Sequence, residues 1–184
     1  MIIISIEGGT MAPEQGFTYS MPLEVYLQAA RVRGVLTTNQ DRLSNFLIVR
    51  EGEEVFSLNQ ASLETFNQTP VSLAADEYLV YMREVHLIAD LSVAGESSTS
   101  TMRSFYVPKD PSKALLGVGP YLLQGNVHLR PGSAMYELLM EKTQFLPVTG
   151  AILIDRPDVT PRTYLVNRAK IGFMSAIGDG LVEL

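Results

Sequence analysis

Residues able to perform catalysis are sparse in this chain. The two histidines, His86 and His128, lie in different halves, each within a stretch of alternating polarity, and there is no cysteine. A metal site needs several converging His, Cys or carboxylate ligands. A Ser-His-acid triad needs a serine beside a base, and no Gly-x-Ser-x-Gly motif is present. The sequence therefore predicts no catalytic residue, no metal and no cofactor.

Three further segments have some of the features of binding motifs. The glycines of GVGPYLLQG (117–125) do not follow the dinucleotide-binding spacing, and Pro120 stands where the helix would begin. The acidic cluster at 51–54 lacks the Asp, Asn and Gly pattern of a calcium loop, so it is interpreted as a solvated turn. DRPDVTPR (155–162) is interpreted as a hairpin connection, with a recognition loop as the alternative.

Charge is distributed unevenly along the chain. Residues 1–92 carry 5 Lys and Arg against 12 Asp and Glu, whereas residues 93–184 carry 9 against 8. A chain of net charge −6 lacks the long-range field that attracts proteins to phosphate backbones. RNA binding is therefore disfavoured, and only a basic patch in the second half could support it.

The chain contains an internal repeat. YLVYMREVHLIADL (78–91) and YLVNRAKIGFMSAI (164–177) begin with the same three residues. Upstream, each half has an alternating run through a glycine, Gly34 or Gly125, followed by a polar turn and a short helical pattern. Blocks kept in the same order predict a duplicated unit with loop insertions.

The periodicity within each unit is mostly two, which is typical of strands. LEVYLQAARVRGVL (23–36) is interpreted as one strand that bends near Ala29 and Ala30. Apolar residues at helical spacing after Asp41 and after Ser133 predict one short capped helix per unit, from Leu43, Phe46 and Leu47 and from Met135, Leu138 and Leu139. Polar corners at 83–84 and 167–170 split the last two strands, so each unit is predicted to have about five strands and one short helix.

This order of elements resembles the Sm-like fold of ring-forming RNA chaperones and spliceosomal core proteins. The resemblance implies a mainly β chain of two tandem small β-barrel-like repeats, each with an inserted helix. The blocks RLSNFL and YLVNRAKI are also similar to those of uncharacterised bacterial proteins. The expected organisation is an N-terminal strand and spacer at 1–20, a first repeat at 21–91, a Ser/Thr-rich linker at 92–105, a second repeat at 106–178 and a tail at 179–184.

Sm-like proteins grip RNA with side chains from the corner between their last two strands. Carried to this chain, the resemblance and the basic second half give one set of candidate RNA-binding residues: Arg130, Asn167, Arg168 and Lys170. In the first repeat the same corner holds Arg83 beside Glu84, and the loop predicted before it carries Asp76 and Glu77, which would repel a polyanion.

Three functions follow from these observations. The leading hypothesis is a non-enzymatic interaction or scaffold protein that self-associates through exposed strand edges as a homo-oligomer, with a further protein partner allowed. The second is RNA binding by the second repeat. The third is an enzyme with a site between the repeats, formed by Tyr81, Arg83, Asn167 and Lys170.

The first residues carry two expectations. MIIISIE is too short in its apolar run for a membrane span or a signal peptide, which together with the lack of cysteine predicts a cytoplasmic protein without membrane contact. Residues 2–6 are expected to form a strand that pairs with a sheet edge of this chain or of the next copy.

Overall fold

The computed structural model describes residues 17–50, 53–66, 69–92, 109–154 and 162–177. Ten strands and two short helices occupy these residues, so the prediction of a mainly β fold with short helices is confirmed. Four predicted features lie wholly or mostly outside the described residues: the strand at 2–6, the linker at 92–105, the loop at 155–162 and the tail at 179–184.

Each half of the chain contributes five strands and one helix. The first half contains β1 (Tyr19–Tyr26), β2 (Ala30–Thr38), α1 (Leu43–Val49), β3 (Val55–Thr65), β4 (Ser72–Tyr81) and β5 (Leu87–Asp90). The second half contains β6 (Asp110–Val118), β7 (Tyr121–Leu129), α2 (Met135–Met140), β8 (Phe145–Leu153), β9 (Arg162–Asn167) and β10 (Ile171–Ala176). A 3-10 turn at each predicted polar corner separates the last two strands, Met82–Glu84 in one half and Arg168–Lys170 in the other.

All ten strands form one antiparallel sheet in the order β10-β6-β7-β8-β9-β5-β1-β2-β3-β4. Within this sheet the first five strands follow the order β5-β1-β2-β3-β4, and the last five follow the matching order β10-β6-β7-β8-β9. The halves are joined where β5 pairs with β9. The two outermost strands are β4 and β10. Tandem barrels of the Sm-like type stay a prediction.

The single bent strand predicted at 23–36 is wrong. Residues 27–29 form a turn, and β1 and β2 pair as an antiparallel hairpin in which Tyr26 lies opposite Arg31. The turn closes by a hydrogen bond from Leu27 N to Ala30 O of 2.8 Å. Leu27, Gln28 and Ala29 are not typical turn residues, which is why the alternation looked continuous.

The two repeated glycines occupy the same structural position. A Cβ on Gly34 of β2 would lie 2.8 Å from the Cβ of Ala61 on β3, and one on Gly125 of β7 would lie 2.5 Å from the Cβ of Ala151 on β8. Both distances are too short for a side chain, so the strands can approach only where β2 and β7 carry glycine. The register of each strand pair shifts at this point.

Both helices form where the apolar spacing predicted them, but neither has the predicted side-chain cap. The N-cap residues are Arg42 and Ala134 rather than Asp41 and Ser133, and neither provides a side-chain cap. In α2 the carboxylate of Glu137 accepts a hydrogen bond of 3.0 Å from Ala134 N. Helices of one or two turns are marginal alone, so packing of their apolar residues must stabilise them.

Two apolar cores lie against the sheet, and each takes residues from both halves. The first core is built around β1–β5 and α1 and includes Phe145 and Leu165 from the second half. The second core is built around β6–β9 and α2 and includes Tyr26, Leu87 and Ala89 from the first half. The halves are therefore interlocked through their side chains as well as joined by backbone pairing.

Candidate self-association interface

The contact between the halves, called the internal junction here, is the pairing of β5 with β9. In its register Leu87 lies opposite Val166, Ile88 opposite Leu165, and Ala89 opposite Tyr164. Neighbouring residues alternate between the two cores, because side chains point to opposite faces along a strand. The junction is thus fully packed on both faces of the sheet.

Polar side chains fix the ends of the internal junction. Asn167 donates from Nδ2 to the carbonyl of Val85 at 2.8 Å, and its Oδ1 accepts from Ala169 N at 3.1 Å. The hydroxyl of Tyr121 donates to the carbonyl of Leu27, which ties β7 to the β1–β2 turn. These bonds satisfy backbone groups that the junction would otherwise bury without a partner.

A buried charge cluster crosses the internal junction. The carboxylate of Glu24 on β1 is inaccessible to solvent. Its Oε1 lies 2.9 Å from Arg31 Nη1 and 2.7 Å from Arg33 Nε, and its Oε2 lies 3.1 Å from Nη1 of Arg162 on β9. Tyr26 also donates to Oε2 at 3.0 Å. One carboxylate from the first half therefore holds an arginine of the second half.

Burial also affects the tyrosines beside this cluster. Burial raises the pKa of Tyr26, with smaller contributions from Tyr164 and Glu24 in the same direction. Burial likewise raises the pKa of Tyr164. The two rings have centroids 6.0 Å apart, and both phenols stay neutral at any physiological pH.

His86 lies in the internal junction between Asn167 and Tyr121. Its backbone carbonyl accepts from Asn167 N at 2.9 Å, and its ring packs edge-on against Tyr121 with centroids 5.9 Å apart. A Cβ on Gly119 would lie 2.2 Å from the imidazole, so the ring fills space left by that glycine. Burial, and then the charge of Lys170, lower the pKa of His86 below its usual value.

This shift predicts a loss of stability in acid. The unfolded chain, in which His86 titrates near pH 6.5, takes up the proton before the folded chain does. The free energy of unfolding is therefore not reduced by protonation of His86 above about pH 6.5. It falls as the pH drops from that value through the lower pKa of the folded state. Thermal melts between about pH 7.5 and pH 5 should show a smaller drop in Tm for His86→Leu than for the wild type. His128→Leu is the control, and equal slopes for the wild type and His86→Leu would contradict the prediction.

The outermost strand β4 matches β9 of the internal junction in sequence, but one of its matching residues is exposed. Tyr78, Leu79 and Val80 of β4 correspond by the repeat to Tyr164, Leu165 and Val166 of β9. Leu165 is 7% exposed, whereas Leu79 is 65% exposed. Val80 and Val166 each lie in the core of their own half, so the two strands match at the valines and differ at the leucines.

Strand β10 shows the same contrast with β5. Phe173 corresponds by the repeat to Leu87, which is fully buried, but the Phe173 side chain is 53% exposed. Its ring lies over Gly117 of β6, where an added Cβ would come within 2.1 Å of the ring. Gly117 therefore leaves room for an aromatic ring on an open sheet edge.

The two helices differ in the same way. Leu47 of α1 is buried in the first core, together with Phe145 and Leu165 contributed by the second half. On α2, Leu139 is 39% exposed and Met140 is 78% exposed. These two apolar side chains at the end of α2 therefore stay exposed, whereas Leu47 of α1 is covered.

The predicted RNA-binding residues do not form one exposed patch. Asn167 is buried in the internal junction. Arg168 donates to the carbonyls of Leu138, Thr143 and Phe145 and pairs with Glu141 at 2.7 Å, so its guanidinium anchors α2 to the corner. Arg130 is exposed and Lys170 half-buried. RNA binding stays a prediction that depends on these last two cations.

Three of the residues proposed for an enzyme site already interact with other groups of the chain. The guanidinium of Arg83 lies 5.2 Å from the ring centroid of Tyr81 and pairs with Glu84, whereas Asn167 is bonded to Val85. A groove of about 650 Å³ lies beside α1, with Asp41, Arg42 and Asp90 among its lining residues. Asp41 accepts from Asn45, and Asp90 accepts from Ser92 N. No histidine is among the residues that line the groove, so its carboxylates and hydroxyls have no imidazole base beside them.

Among the described residues, no group of three His, Cys, Asp or Glu side chains is placed to hold a metal ion. In the same part of the chain neither helix has the length and hydrophobicity needed to cross a membrane. No family model, curated protein or solved structure matches the chain.

Proposed function

We propose that this chain is a non-enzymatic scaffold protein of two Sm-like repeats that self-associates head to tail, with β10 of one copy pairing with β4 of the next. The observation that carries the proposal is the pair of leucines at matched positions, Leu165 covered at the internal junction and Leu79 exposed on the sheet edge. The β5·β9 pairing provides the template, because β10 repeats β5 and β4 repeats β9.

The template specifies a register for the contact between copies. Carried over from the β5·β9 pairs, Phe173 would lie opposite Val80 of the next copy, Met174 opposite Leu79, and Ser175 opposite Tyr78. These pairings would satisfy the backbone donors and acceptors of both open edges. We refer to this contact as the outer junction.

Side chains on both faces support the same contact. Tyr164 packs near Tyr26 at the internal junction, and Phe173 occupies the matching place over Gly117, where Tyr78 of the next copy would meet it. On the other face, Leu79 of the next copy would reach Leu139 and Met140 of α2, as Leu165 joins Leu47 of α1 in the first core. The outer junction would thus cover apolar surface that is exposed in a single copy.

A charged residue at the centre of this contact should separate the copies. Leu79→Glu is expected to lower the mass measured by light scattering, because the carboxylate would be buried against α2 without a partner. Leu73→Glu is the control, since Leu73 is an exposed leucine on the same strand that lies beyond the register of β10. An unchanged mass for Leu79→Glu, or a wild type that stays monomeric at high concentration, would contradict the proposal.

A further inference from the structure

The two strands that match in the repeat carry opposite charges at one position. Tyr78 and Tyr164 lie 86 positions apart, and the same interval separates Asp76 on β4 from Arg162 on β9. Arg162 uses its charge at the internal junction, where it contacts the buried Glu24 at 3.1 Å. Asp76 is exposed on the open edge, so its charge faces whatever pairs with β4.

Strand β6, which pairs with β10, carries a complementary charge. Lys113 on β6 is exposed, and its carbonyl accepts a hydrogen bond of 3.0 Å from the N–H of Ile177, just beyond β10. In the register that places Ser175 opposite Tyr78 of the next copy, Asp76 of that copy lies opposite Ile177. Asp76 and Lys113 therefore flank Ile177 from its two sides.

The geometry allows these two side chains to meet. Residues directly opposite each other in an antiparallel sheet point to the same face, so Lys113 and Asp76 of the next copy share a face. Adjacent strands are about 4.8 Å apart, which places the two backbones roughly 10 Å apart, a gap that a lysine and an aspartate side chain together can span. Arg162 and Glu24 bridge the same number of strands at the internal junction.

We propose that Asp76 and Lys113 select the partner of the open edge, so that β4 of one copy accepts β10 of another and rejects a second β4. This inference rests on the proposed head-to-tail association. Antiparallel pairing of two β4 edges would bring Asp76 and Glu77 of one copy against those of the other, and like charges on paired strands are destabilising. The contact between copies is then heterologous, and successive copies in the assembly have the same orientation.

Charge reversal tests this inference directly. Asp76→Lys and Lys113→Glu should each raise the dissociation constant for self-association roughly five- to tenfold, because an attraction becomes a repulsion. The double variant should recover most of the affinity. Mixing the two single variants should do the same, since each junction of an alternating assembly again pairs a lysine with an acid.

The control is Glu77→Lys, which makes the same change of charge on the opposite face of β4 and should weaken self-association less. All three residues that are changed are exposed, and thermal melts of the variants verify folding. Single variants that associate like the wild type, or a double variant no better than either single one, would overturn charge selection while leaving head-to-tail association in place. A monomeric wild type would overturn both proposals.

Discussion

Replacing Glu24 by glutamine is expected to lower the free energy of unfolding by about 3–5 kcal/mol, because breaking a buried ion pair leaves the remaining charges without compensation. Glu24 is fully buried and contacts Arg31, Arg33 and Arg162 within 3.1 Å. Glutamine preserves the volume but removes the charge that these arginines share. The expected loss lies at the lower end of the range, since the side chain of Arg33 is half-exposed and can turn to solvent. Urea denaturation of the purified variant measures it.

Glu64→Gln provides a matched control for this result. Glu64 also pairs with Arg31, but its side chain is partly exposed, so the pair is screened by water. The expected loss is below about 1 kcal/mol. Equal losses for the two variants would mean that water reaches Glu24 and that the cluster does not hold the two halves together.

The importance of Glu24 could not be predicted from the sequence. It alternates with Leu23 and Val25 in a strand pattern, and a polar residue in that phase is expected to face solvent. The second half covers this face instead. Its partner Arg162 is 138 positions away, a distance at which periodicity carries no information. The fold class and both helices depend on local patterns and were predictable. The single sheet depends on the pairing of β5 with β9, which are distant in the sequence.

The partners of the candidate RNA-binding residues are also distant in the sequence and could not be predicted from local patterns. A polar corner between two strands resembles an exposed loop, and Asn167 and Arg168 were interpreted in that way. In the fold, β5 lies beside that corner, and the side chain of Asn167 bonds to Val85. Arg168 is enclosed by the loop after α2, which supplies carbonyl acceptors at Thr143 and Phe145. The side chains of Asn167 and Arg168 therefore use their hydrogen bonds within the protein itself.

The last prediction compares the two leucines of the repeat, each replaced by alanine. Leu165→Ala should cost on the order of 2–5 kcal/mol, because it removes buried methyl groups where β9 covers the first core. Leu79→Ala should change the stability of a dilute, monomeric sample by less than about 0.5 kcal/mol, since surface substitutions away from packed features have small effects.

Concentration then separates stability from association. Raising the protein concentration should stabilise the wild type relative to Leu79→Ala, because association between folded copies stabilises the folded state. Leu165→Ala should remain destabilised at every concentration, since the internal junction lies within one chain. If both alanine variants melted like the wild type in dilute solution, β9 would not cover the first core. A large loss for Leu79→Ala in the monomer would place Leu79 inside the protein and remove the open edge on which association depends.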